Sequence, residues 1–241
     1  FLIFWKTFIM NNTARLHYFL GRGRAETTRW MLAFNQIDFV NIPIKTPKEL
    51  SLLRASGKLP FDQMPLLEID GNFLSQSSAM VRYLARLGNL YGSDDNEALL
   101  CDMFAGAIAD FAETSMQAAF QPSQEIAINM LKDRFDKFGP KFESKIKENG
   151  LTFCVGKKIT FVDILLTEAL NAYIEWIPNL LEKDSLLFTL YTKMITQPGI
   201  NKYLSSEQRY PKSDQNYVID VARVLERSLP SHMENVNRFV K

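Results

Sequence analysis

The chain is predicted to fold as an α/β unit followed by an all-α unit. Three observations predict this. Strand and helix patterns alternate over residues 14–88 in the order β-α-β-α-β-β-α. A turn-rich run, Gly88-Asn89-Leu90-Tyr91-Gly92-Ser93-Asp94, then interrupts both patterns. Beyond it the strand patterns largely vanish and five helical segments follow. The length, 241 residues, accommodates both units, 14–88 and 94–228, with an extension at 1–13 and a tail at 229–241.

Each element has a local reason. Arg15 to Phe19 reads as a short strand, ended by Gly21-Arg22-Gly23. From Ala25 to Asn35 the apolar residues Ala25, Trp30, Ala33 and Phe34 recur at helical spacing. Residues 39–44 form a second strand and 47–56 a short, irregular helix. Residues 64–74 signal a hairpin, because two β-rich runs flank Asp70-Gly71, a favoured two-residue turn. An amphipathic helix covers 77–87. This order implies a parallel strand pair closed by an antiparallel hairpin. Helices are then expected at 95–119, 124–148, 160–177, 184–197 and 215–228. Thr160-Phe161-Val162-Asp163 is a capping box, and the helix it opens is apolar on nearly all sides, so it should be central and buried. The last helix, capped by Asp214, carries a stripe of Val218, Val221, Ala222 and Leu225, with Tyr217 and Val224 on its flanks.

Composition excludes several classes of function. Hydrophobic residues make up 46% and charged residues 23%, a globular balance. With 28 Lys and Arg against 27 Asp and Glu, the net charge is +1, which gives no support for binding nucleic acid or an anionic membrane. No apolar run approaches the ~20 residues of a membrane span. Cys101 and Cys154 form no C-x-x-C, and His17 and His232 read as an ordinary strand residue and a tail residue, so no metal site is expected. Sparse cysteine points to a reducing compartment. The run Phe1 to Ile9 precedes Met10 and lacks the marks of a signal peptide. It reads as sequence upstream of the native start, in an extension expected to be disordered. Asn11-Asn12-Thr13 is a formal glycosylation sequon without meaning in a cytosolic protein.

The first unit looks like a thioredoxin-type fold, yet no cysteine lies in the first 100 residues of the chain, so thiol–disulfide chemistry is excluded. Gly21-Arg22-Gly23 leads to Glu26 where a dinucleotide fingerprint needs a third glycine. What converges instead is a strand-end Tyr18, an Arg-rich loop, Met64-Pro65 before the hairpin, and Gln76-Ser77 opening a helix. A helix N-terminus with a hydroxyl favours a carboxylate, and an X-Pro at an edge hairpin can present backbone to an extended peptide. Together they suggest capture of a small acidic peptide. Taken singly, Ser77 also reads as an N-cap, Pro65 as a turn and Tyr18 as a sheet aromatic.

The residues Leu16-His17-Tyr18-Phe19, Arg22-Gly23-Arg24 and Glu26-Thr27-Thr28-Arg29-Trp30 resemble the start of a cytosolic glutathione S-transferase. So do Phe61-Asp62-Gln63-Met64-Pro65, Glu68-Ile69-Asp70-Gly71, Gln76-Ser77, Asn89-Leu90-Tyr91-Gly92 and the stretch from Val155 to Asp163. The resemblance spans residues 15 to 228. It is alpha-class-like, with some similarity to the sigma class through Arg22-Gly23-Arg24-Ala25-Glu26.

The resemblance implies a thioredoxin-like N-terminal domain, an all-helical C-terminal domain and a cytoplasmic homodimer. It implies conjugation of glutathione, as co-substrate and with no cofactor, to small hydrophobic electrophiles in detoxification. A glutathione-dependent isomerase or peroxidase such as a prostaglandin synthase is an alternative, as is a non-catalytic ligand-binding or crystallin-like relative. By resemblance Tyr18 donates to the glutathione sulfur and Arg24 adds positive charge nearby. Met64, before Pro65, pairs through its backbone with the cysteinyl part. Gln76 and Ser77 hold the γ-glutamyl carboxylate, Asp110 of the partner subunit its amine, and Arg54 and Gln63 the glycyl end. Lys137 stands where an Arg of the partner subunit is usual, and Ser78 where an Arg often packs at the dimer axis. Phe61 is the implied dimer contact, and the last helix the implied lid of the electrophile pocket.

Overall fold

The computed structural model describes residues 13–233. The readings made of residues 1–12 and of the end of the tail lie outside this range.

Ala14–Tyr18 forms β1, Phe39–Pro43 β2, Leu66–Ile69 β3 and Asn72–Ser75 β4. The sheet order is β2-β1-β3-β4. β1 runs parallel to β2, with Leu16 opposite Asn41, and antiparallel to β3, with Leu16 opposite Leu67. This is the predicted parallel pair closed by a hairpin. Asp70 and Gly71 join β3 to β4 with φ of 49° and 76°, the left-handed pair a tight hairpin turn requires. Glu26–Phe34 (α1) and Ser77–Leu87 (α3) pack together beside the sheet. Pro47–Ala55 (α2) lines a cleft with Arg15, His17 and Glu68. α2 is regular rather than irregular. Thr46 and Glu49 cap each other reciprocally and Pro47 fills the first turn, where no amide hydrogen is needed. His17 is buried in β1 within 3.1 Å of Glu68, and burial lowers its pKa.

The helical half comprises α4 (Asp95–Gln117), α5 (Gln124–Glu148), α6 (Phe161–Ile174), α7 (Leu186–Ile195), α8 (Pro198–Leu204) and α9 (Gln215–Val224). None of these is long and apolar enough to cross a membrane. α6 is the central element and is buried on almost every side, as its composition predicts. Asp163 anchors its start. The fully buried carboxylate accepts from the Thr160 N–H at 2.8 Å, the Thr160 hydroxyl at 2.9 Å and the Cys154 N–H at 2.7 Å. Three donors satisfy the group, although its burial still raises its pKa.

Two segments differ from expectation. The sequence reading has no helix at 198–204. α8 spans only seven residues, too few for a periodic pattern, yet it holds the two halves together. Its Tyr203 hydroxyl donates to Glu26 in α1 at 2.9 Å, and Glu26 also accepts from the buried Arg29 guanidinium at 2.9 Å. The last helix ends at Val224, not 228. Glu226 adopts φ 52° and the Arg227 N–H turns back to the Ala222 carbonyl at 2.9 Å, a Schellman-type stop. The chain beyond it packs again. Leu229 and Met233 are buried with Ala119 and Val218 in a small second core.

Candidate active site

Tyr18 ends β1 and is only 6% exposed. The loop after it doubles back through a short 3-10 turn, Gly23–Ala25, and the Arg24 N–H donates to the Tyr18 hydroxyl at 3.1 Å. The Arg24 guanidinium points instead to Glu113 on α4, at 3.0 Å. Its charge is therefore shared with an acid, and its direct contact with the phenol is through the backbone. Arg22 pairs with Glu175 and donates to the Tyr210 carbonyl at 2.7 Å. These contacts pin the loop to the helical half.

A cavity of about 350 Å³ opens at Tyr18. Phe19, Met116, Phe120, Ala172, Trp176 and Val221 give it apolar walls. α9 supplies Tyr217 as well. A Cβ placed on Gly23, whose φ is +40°, would lie 2.5 Å from the Tyr18 hydroxyl and 2.6 Å from that of Tyr217. Both phenols thus close on Gly23, which has no side chain to block them. Burial, then the nearness of Tyr18, raises the pKa of Tyr217. A second cavity of about 320 Å³ contains Ser77, Ser78, Arg82 and Asp110. Gly23, Arg24, Glu113, Ser115, Met116 and Glu168 line both cavities and form the wall they share.

The remaining predicted positions follow one edge. The Gln76 amide donates to the Gln63 side-chain oxygen at 3.2 Å, and the Arg54 guanidinium donates to the Asp62 carbonyl at 3.2 Å. The Met64–Pro65 peptide is cis, with Met64 half-buried and Pro65 buried. Gln76 has φ 67°, and Ser77 begins α3. Arg54, Gln63, Gln76 and Ser77 thus lie near one end of the sheet. Asp110 shares a cavity with Ser77 of its own chain. Lys137 is exposed on α5, over the ring of Phe138, and lines neither cavity. Phe61 is 63% exposed on its loop.

Family models decide the affiliation. Residues 14–86 match the glutathione S-transferase N-terminal domain and residues 109–207 the glutathione S-transferase C-terminal domain. The chain belongs to the glutathione S-transferase family. Among its relatives, glutathione S-transferase A2 of Bos taurus is 36% identical over 89% of this chain and 98% of that protein. Glutathione S-transferase alpha M14 of Sus scrofa is 38% identical over 83% and 91%. Among solved structures, the glutathione S-transferase from Ascaris lumbricoides superposes with a TM-score of 0.70 at 26% identity, covering 84% of this chain and 99% of that one. Prostaglandin synthase D of Nilaparvata lugens does so with 0.68 at 25%, covering 83% and 100%.

Two residues of this transferase site escape sequence reasoning. Tyr217 counts only as a flank of the α9 stripe, yet it reaches the Tyr18 hydroxyl. Glu168 goes unnoticed among the apolar residues of α6. A signal for it exists, since Asp163 and Glu168 are the two charges in that helix and a charge on a buried helix needs a partner or a use.

Proposed function

We propose that this protein conjugates the thiolate of glutathione to small hydrophobic electrophiles, as a cytoplasmic homodimer with a role in detoxification. The observation that carries this reading is Tyr18 in the lining of a cavity with apolar walls, at the same end of the sheet as a row of polar groups. The Arg24 N–H donates to that hydroxyl. The phenol's own hydrogen is then free for a sulfur. A hydrogen bond to the charged form favours thiolate over thiol, and the thiolate is the nucleophile. Gln76 and Ser77 at the start of α3 suit the γ-glutamyl carboxylate, since helix amides and the local dipole favour an anion. The Met64 backbone suits the cysteinyl part, and Arg54 and Gln63 the glycyl end. Asp110 of the partner subunit suits the γ-glutamyl amine. Lys137 of the partner subunit is the weakest member of this set, for an ammonium cannot grip a carboxylate as a planar fork. Glutathione enters as co-substrate, and no cofactor is invoked.

An assay with glutathione and 1-chloro-2,4-dinitrobenzene tests the reading. Enzymatic formation of the thioether is expected. Glutathione binding without turnover would make the protein a non-catalytic relative. Tyr18→Phe removes one hydrogen bond to a charged acceptor, about 1.5–3 kcal/mol, so turnover should fall roughly ten- to a hundredfold with glutathione affinity little changed. A bound thiol whose pKa is the same in both proteins would contradict the role given to Tyr18.

The dimer reading rests on Phe61, a large aromatic held out on a loop. Truncating a buried interface anchor costs about 2 kcal/mol or more, so Phe61→Ala should loosen the dimer about thirtyfold. Sedimentation velocity measures this, and an undisturbed dimer would remove Phe61 from the interface.

A further inference from the structure

We propose that Glu168 is the proton donor of the electrophile pocket, and that it suits the site to electrophiles whose opening leaves an oxygen anion, epoxides above all. The proposal rests on the transferase reading. It starts from a contrast within α6. Asp163 is held by three donors, whereas Glu168, among the described residues, has no ion pair or hydrogen bond. Its side chain nevertheless belongs to the wall shared by both cavities, one of which holds Tyr18. Glu168 itself is half-buried and faces the cavities with no cation to hold it charged, which favours the neutral acid.

The surroundings keep it neutral, because each nearby cation is committed elsewhere. Arg22 and Arg209 both pair with Glu175, which caps the end of the same helix. Arg29 pairs with Glu26 in α1, and Arg24 with Glu113 on α4. Across the second cavity Arg82 of α3 pairs with Asp102, and Asp110 adds negative charge. Lys212 donates to the Glu175 carbonyl and lies over Trp176. Tyr18 and Tyr217 add hydroxyls. Burial first, then repulsion from Glu26, pushes the Glu168 carboxyl up to about 8.

A neutral acid matters for one kind of electrophile. When the thiolate attacks an epoxide carbon, the C–S bond forms, the C–O bond breaks and its electron pair stays on oxygen. That alkoxide takes the Glu168 proton, which yields a β-hydroxy thioether and a carboxylate. Water reprotonates the carboxylate, balancing the proton released when the glutathione thiol ionised. An aryl chloride expels chloride, which needs no proton.

The test compares the two substrate kinds on the whole purified protein, with styrene oxide and 1-chloro-2,4-dinitrobenzene as probes. Glu168→Gln keeps the shape and polarity of the neutral acid but has no proton to give. Its kcat/KM for the epoxide should fall roughly a hundredfold, the ordinary worth of general-acid help, and by at least about tenfold more than that for the aryl chloride. The wild-type protein gives a second measurement. Glu168 holds its proton below its raised pKa, so the ratio of epoxide to aryl chloride rates should fall as pH rises through about 8. In the variant that ratio should be flat. Equal losses on both substrates would mark Glu168 as structural and overturn the proposal. So would a wild-type ratio independent of pH, or no epoxide turnover beside a normal aryl chloride rate. Failure of the transferase reading looks different, since the wild type would then conjugate neither.

Discussion

The two sides of the site are built in opposite ways. The polar side, from Arg54 through Gln63 to Gln76 and Ser77, comes from turns and helix ends within 25 residues of sequence, and its side chains bond their near neighbours. The apolar side gathers Phe19, Met116, Trp176 and Val221 from elements scattered over 200 residues, and sets Glu168 among them as a carboxyl without an ion-pair partner among the described residues. A local build fixes what is bound, because backbone direction and helix ends change little when side chains elsewhere do. A dispersed build fixes shape and protonation, because helices can trade side chains on a cavity wall without losing their packing. Gly23 and Arg24 belong to neither side alone. They stand where the β1 loop meets the helical half.

That junction is where the comparison breaks most severely. Gly23→Ala puts a methyl group into the space beside both phenols and asks a left-handed φ of a residue that disfavours it. A misplacement of about 1 Å at a reacting group can cost a hundredfold, so turnover should collapse by at least that much. Rates with several electrophiles check this, and a loss confined to one of them would mean that Tyr18 had not moved. A chain ending at residue 213 removes Tyr217 and Val221 from one side only. Losing some 50–80 Å² of apolar contact costs an electrophile about 1–2 kcal/mol, so its affinity should drop roughly tenfold. Glutathione affinity, measured by calorimetry, should stay nearly intact. If glutathione binding disappears as well, α9 is scaffold for both sides and the contrast fails. The smallest effect is expected at Asp110→Asn. The carboxylate is exposed, and an exposed ion pair gives about 1 kcal/mol at most. Glutathione should bind up to about fivefold more weakly, with the electrophile KM unchanged. A shift in the electrophile KM instead would move Asp110 to the other side of the site.

The sequence alone determined what depends on near neighbours. Asp70-Gly71 announces its hairpin because few residues tolerate two consecutive left-handed positions. Thr160 and Asp163 announce the start of α6, and a helix apolar all round has nowhere to lie but the centre. Tyr18, the Arg loop and Gln76-Ser77 were legible as candidates because strand ends and helix starts expose polar groups at fixed places. Periodicity could not reveal α8, which is too short to repeat, nor the true end of α9, which Glu226 closes without a glycine. Only the tertiary structure decided that Tyr217 meets Tyr18 across 199 residues, that the Arg24 charge goes to Glu113, and that Glu168 has no cation left to pair with. Those outcomes depend on which distant side chains compete for the same partner, and that competition exists only once the two halves of the chain have packed together.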